Sequence, residues 1–166
     1  MLHLVGSAPF ADWQRLRAAN PPIPGVERID ASRLNYPDAV EIGATVARIE
    51  KARIGFAAGV EPDPAAESTL QAMLADLDRL ERLAARSGIA VELHVFGLTD
   101  EPGGSLMNRD LRLRRAEWLA LRLTPTLEAS GRARADLETL SALEFHGSAR
   151  AALVRIDLQP TRPATP

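Results

Sequence analysis

Two hydrophobic periods meet in the middle of this sequence, and together they fix what it can fold into. Leu70, Met73, Leu74, Leu77, Leu80 and Ala84 recur at three and four residues, which puts them on one stripe of a helix. Asp63-Pro64 stands ahead of that stripe as an N-cap and first-position pair, and Gly88 supplies the stop. Directly afterwards 90–98 (AVELHVFGL) alternates, with Val91, Leu93 and Val95 on one side of a strand. A one-sided helix beside a one-sided strand buries both apolar faces together. The fold class is therefore α/β, an α+β sandwich with helices on one face of a mixed sheet.

The same reading extends in both directions. Residues 38–52 read as a helix carrying Val40, Ile42, Val46 and Ile49, 53–56 as a brief strand, and 57–62 as a loop. After a turn-rich loop at 99–107 (TDEPGGSLM), 108–123 is a helix whose apolar residues go most of the way round. Pro125 ends or kinks it, with a restart open at 126–129. The last strands are 138–145 and 151–158, and 159–166 (QPTRPATP) is expected to be a disordered tail. At the other end, a strand at 2–5, a helix at 12–19 with Trp13 and Leu16 on one face, a break at 20–25 (NPPIPG) and one or two strands in 26–34 form a small β-α-β unit. Such a unit has little core of its own and must lean on the larger part of the chain. The division expected is 1–36, 37–158 and the tail 159–166.

Composition removes several functions. The chain has no cysteine, so disulfides, cysteine–zinc sites and thiol catalysis are excluded. Twenty basic residues against 22 acidic ones give no electrostatic footprint for nucleic acid. The longest run free of Asp, Glu, Lys and Arg is 1–11, far short of the ~20 apolar residues of a membrane span. That run also lacks the basic start and long apolar core of a signal peptide. His3, His94 and His146 have no metal-ligand spacing, and Ser105 and Ser141 have no histidine–carboxylate set that the sequence reveals. No metal, cofactor or catalytic residue is assigned. Glu61, Asp63 and Glu67 are accounted for by capping and the helix dipole, and Trp13 and Trp118 by core packing.

One arginine stands out by position. Arg115 falls between Leu111 and Leu119 on an apolar stripe, away from Asp110 and Glu117, and a charge there needs a partner. Asp100 sits where the strand ends, and a short loop folding back would bring the two side chains together at the rim of the sheet.

The run Gly97, Thr99, Asp100, Gly103, Asn108, Leu111, Arg115, Ala116 resembles the pattern of the OmpA-like domain family, roughly G-[HY]-T-D-x-x-G-x4-N-x2-L-S-x2-R-A. Phe56 matches the family's early phenylalanine, and the resemblance covers about residues 44–158. It implies a β-α-β-α-β domain that binds peptidoglycan noncovalently, without catalysis, through diaminopimelate in the stem peptide. By position Asp100 would accept from the ammonium and Arg115 would clamp the carboxylate, with Thr99 and Asn108 completing the site and helix amides near Asn108 adding anion donors. An open cleft is expected, with Asp100 and Arg115 in reach of one small ligand. Residues 2–34, with Leu4-x-Gly6, Trp13 and Pro24-Gly25-Val26, look like half of a BON module, which accompanies OmpA-like domains in some envelope proteins. Together the two resemblances imply a periplasmic or cell-envelope location, with export and anchoring signals outside this chain.

The sequence also departs from the pattern. Leu98 replaces the histidine or aromatic before Thr-Asp, Arg112 stands for serine, and Gly59 takes a place where ligand-binding members carry asparagine. Ala152 and Leu153 occupy the positions of the family's C-terminal arginine pair, with Arg150 out of register. The alternative is a degenerate OmpA-like scaffold that has lost glycan binding and serves contact with an envelope protein or homo-oligomerisation.

Overall fold

A computed structural model describes residues 1–18, 24–100, 105–129 and 149–161. The strand expected at 138–145, Gly103 and Gly104, His146 and most of the C-terminal tail lie outside the described residues.

The chain begins with β1 (Leu2–Ser7), α1 (Phe10–Ala18) and β2 (Ile29–Asn35). β1 and β2 pair in parallel, as a β-α-β crossover requires, with an irregularity between His3 and Val5. This unit does lean on the rest. Phe10 is buried in the same apolar cluster as Ile42, Ile49 and the main sheet, and Trp13 and Tyr36 pack against that cluster. Phe10, Trp13 and Tyr36 form an aromatic triangle with centroids 4.8–5.5 Å apart, and Trp13 Nε1 donates to the Leu34 carbonyl at 3.0 Å.

The larger part runs α2 (Ala39–Lys51), β3 (Ile54–Ala58), β4 (Glu61–Pro62), α3 (Ala66–Arg86), β5 (Ile89–Gly97), α4 (Ser105–Ala129) and β6 (Ala151–Pro160). Its sheet order is β4-β3-β6-β5. Among the described residues every pairing in that sheet is antiparallel. The three helices do pack on one face. Val91, Leu93 and Val95 from β5 and Ala152, Val154 and Ile156 from β6 meet Ile42 and Ile49, the α3 stripe, and Ala116, Leu119 and Leu123 of α4 in one core. The other face carries a second small cluster of Leu98, Ala151 and Leu153, with Phe96 packed on it.

Helix limits differ from expectation for local reasons. Asp63 is not the N-cap of α3: its carboxylate accepts from the Ala65 amide at 2.9 Å, holding a turn that delivers the chain to Ala66. That carboxylate lies against Gly55, where a Cβ would collide with it. Gly88, at φ +66°, ends α3 as anticipated. α4 starts three residues before Asn108 and continues through Pro125 to Ala129. The tail is also corrected: Gln159 and Pro160 extend β6 against Ala90 and Ile89, and the Thr161 amide donates to the Gly88 carbonyl at 3.0 Å.

Candidate functional site

The end of β5, the start of β6, the β3–β4 turn and the third turn of α4 converge at one edge of the sandwich. Gly97 makes that convergence possible. A Cβ on Gly97 would lie 1.8 Å from the Arg112 carbonyl oxygen, so α4 crosses β5 backbone to backbone there.

Arg115 is delivered into this junction and is fully buried, at 0% exposure. Its Nε donates to the Gly59 carbonyl and its Nη1 to the Leu98 carbonyl, each at 2.7 Å. Its guanidinium carbon lies 5.3 Å from the centroid of the Phe56 ring, which in turn meets Trp118 edge-on at 5.5 Å. Gly59 presents its carbonyl from a left-handed turn, φ +52°. The arginine thus ties α4 to the β3–β4 turn and to the end of β5.

Asp100 is held elsewhere. Its Oδ1 accepts from Arg150 Nε at 2.9 Å, and Arg150 Nη1 donates to the Ala57 carbonyl at 2.8 Å. Both side chains of this pair are part-exposed at the rim. Arg115 is thus enclosed with two donors on backbone carbonyls, while Asp100, expected to share an open cleft with it, pairs with Arg150 at the surface. Leu98, buried against Ala151 and Leu153, closes one side. Arg112 is half-buried, its Nε without a hydrogen-bond partner. Thr99 and Asn108 are each half-buried, on either side of the 101–104 connection, which lies outside the described residues. Because α4 begins at Ser105, its free N-terminal amides precede Asn108.

Sequence reasoning set Arg150 aside, yet it is the arginine that meets Asp100. The β3–β6 ladder, with the Phe56 amide on the Arg150 carbonyl at 2.8 Å, places it there.

A second polar group lies on the sheet face away from the helices. Glu92, His94 and Asp157 bring one potential metal-ligating atom each within 4.8 Å of one another. The i, i+2 spacing of Glu92 and His94 is legible in the sequence, but Asp157 joins only through the β5–β6 register. His94 Nε2 is 3.3 Å from Asp157 Oδ2, and Arg155 stands directly across from His94. Arg155 Nη1 itself lies 3.4 Å from Glu50 Oε2.

No helix among the described residues is long and apolar enough to cross a membrane. No protein-family model matches the chain, and a search of curated proteins finds no significant match.

Proposed function

We propose that this chain is a non-catalytic, OmpA-like module of the cell envelope that has lost diaminopimelate binding and works as a scaffold for protein–protein contact or oligomerisation. The observation that carries this reading is the burial of Arg115 with its Nε and Nη1 donors committed to backbone carbonyls. A ligand carboxylate that took over both donors would leave the Gly59 and Leu98 carbonyls unpaired. At roughly 1.5–3 kcal/mol for each charge-assisted bond, that is about 3–6 kcal/mol, or two to four orders of magnitude in affinity. A small zwitterion has little surplus binding energy to offset such a loss.

One observation favours the second reading, peptidoglycan binding. Asp100 and Arg150 form a part-exposed acid–base pair at 2.9 Å, and the ammonium and carboxylate of diaminopimelate could separate them. A sedimentation assay with purified sacculi distinguishes the two. The scaffold reading expects the parent to be retained no better than an unrelated protein of similar charge. Retention that disappears in Asp100→Ala and Arg150→Ala would reject it in favour of anchoring at the rim.

A further inference from the structure

Glu92 stands directly across from Asp157 in the β5–β6 ladder, so two carboxylates face each other on the side of the sheet away from the helices. Like charges placed this way repel, and a cation between them relieves the repulsion. Among the described residues no hydrogen bond or ion pair engages the Glu92 carboxylate. His94 occupies the next position on the same face, with Nε2 3.3 Å from Asp157 Oδ2. Its side chain is 15% exposed and its Nδ1 is buried without a hydrogen-bond partner, so Nε2 is the nitrogen turned to the carboxylates.

Arg155 lies across from His94 but reaches the other way. The Ile156 amide donates to Glu50 Oε1 at 2.9 Å, which places Glu50 on the edge of β6 remote from β5. Arg155 Nη1 lies 3.4 Å from Glu50 Oε2, so its charge is directed to that edge. The separations within the triad suit a metal ion. One donor atom each from Glu92, His94 and Asp157 lie within 4.8 Å of one another. Two ligands of one tetrahedral zinc, each about 2.1 Å from it, stand roughly 3.4 Å apart, which matches the spacing of His94 and Asp157. Both carboxylates are exposed, and turning them inward brings the wider separations into the same range.

We propose that Glu92, His94 and Asp157 form a zinc site, with one imidazole and two carboxylates as ligands and water in the remaining position. An imidazole among the donors selects zinc over magnesium and calcium, which take oxygen ligands. Two carboxylates balance the charge of the ion, and their cross-strand repulsion becomes attraction to it. All three side chains stand on paired strands, so the donors are held in place before the ion arrives, and the bound ion ties β5 to β6. This inference goes beyond the scaffold reading and does not depend on it.

The absence of cysteine removes competing thiolate ligands, and the chain has only three histidines. Calorimetric titration of tag-free, chelator-treated protein with zinc chloride should show one equivalent bound in the micromolar range, with excess magnesium unable to compete. Glu92→Gln and Asp157→Asn keep the shape of exposed side chains and should each weaken binding by roughly tenfold or more, since losing even a supporting partner of a ligand costs that much. Zinc should raise the melting temperature of the parent and leave that of Glu92→Gln unchanged, with the same circular dichroism spectrum for both. Nitrogen NMR of the imidazoles should place the ion on His94 Nε2. His3, whose Nδ1 lies 3.0 Å from Asp30 Oδ2, is the control for an ordinary surface pair, so His3→Ala should bind zinc as the parent does. No binding below millimolar zinc, affinity unchanged in Glu92→Gln, or affinity lost in His3→Ala would each overturn the proposal.

Discussion

Arg115 Nε donates to the Gly59 carbonyl at 2.7 Å, and that bond joins the centre of α4 to the turn between β3 and β4. With Nη1 on the Leu98 carbonyl, one side chain holds two separate backbone segments to the helix. Its role here is that of an internal strut. Arg115→Met keeps the apolar stem and leaves two buried carbonyls without these donors, so a loss of about 2–4 kcal/mol is expected. Arg115→Lys should recover little, because an ammonium is a point donor that cannot reproduce the fork between Gly59 and Leu98. Urea unfolding of the three proteins checks this, and a midpoint for Arg115→Met within error of the parent would show that the bonds carry no net stability.

Two glycines provide an opposed pair of predictions. Gly97→Ala would drive a Cβ into the Arg112 carbonyl at 1.8 Å, an atom that cannot move without shifting α4. Roughly 3 kcal/mol or more of destabilisation is expected, the range of overpacking against rigid backbone. Gly43 lies on the exposed side of α2 with nothing within 4 Å of its notional Cβ, so Gly43→Ala should stabilise by about 0.5–1 kcal/mol through helix propensity. Thermal melts of both variants should move in opposite directions.

Much of the fold was legible because it rests on side-chain period. The α3 stripe, the alternation of β5 and the β-α-β start are all written in spacing, and the helices fall on one face of the sheet as that spacing requires. What was illegible depends on backbone atoms and on register. Arg115 announced itself as a buried charge needing a partner, but its partners include the carbonyls of Gly59 and Leu98, and a carbonyl leaves no mark in a sequence. Arg150 was misjudged for a related reason, since its meeting with Asp100 depends on where β6 begins against β3. Gln159-Pro160 has the composition of a tail yet extends β6, because β5 still offers Ala90 and Ile89 as partners. Phe10 comes after Ala8-Pro9, in what reads as a turn, and becomes core only because α1 packs on the larger part of the chain, against β6.

A third prediction concerns acid. The Ser32 amide and side chain, together with His3, whose Nδ1 lies 3.0 Å from Asp30 Oδ2, lower the Asp30 carboxyl from 3.8 to about 2. A depressed carboxyl contributes stability in full above its unfolded value near 3.9 and loses it as pH falls through the folded value. The β1–β2 unit should therefore loosen between about pH 4 and pH 2. Carbon-detected NMR titration of Asp30 should give the low midpoint. An Asp30→Asn protein should lose this part of the acid dependence, and a midpoint near 3.9 for the native residue would contradict the hydrogen bonding that the loop shows.

The fourth prediction tests why α4 survives a proline. Pro125 lies inside the helix, four residues from its end and exposed, so its missing amide leaves the Leu121 carbonyl without an intrahelical donor. Nearby carbonyls take side-chain donors, Thr124 Oγ1 on Ala120 at 2.9 Å and Arg122 Nη1 on Trp118 at 3.2 Å. Arg122 also lies over the Trp118 ring one turn back on the same helix, 3.5 Å from its centroid, which braces this turn. Leu123, fully buried, anchors the same turn from the other side. Tertiary contacts therefore hold the helix through a residue that opposes it by up to about 3 kcal/mol in a helix interior. Pro125→Ala restores the amide at an exposed position without touching the core. It should raise stability by roughly 1–3 kcal/mol and slow amide exchange at residues 125–129. A destabilised Pro125→Ala protein would mean that the helix needs the proline's geometry at that turn.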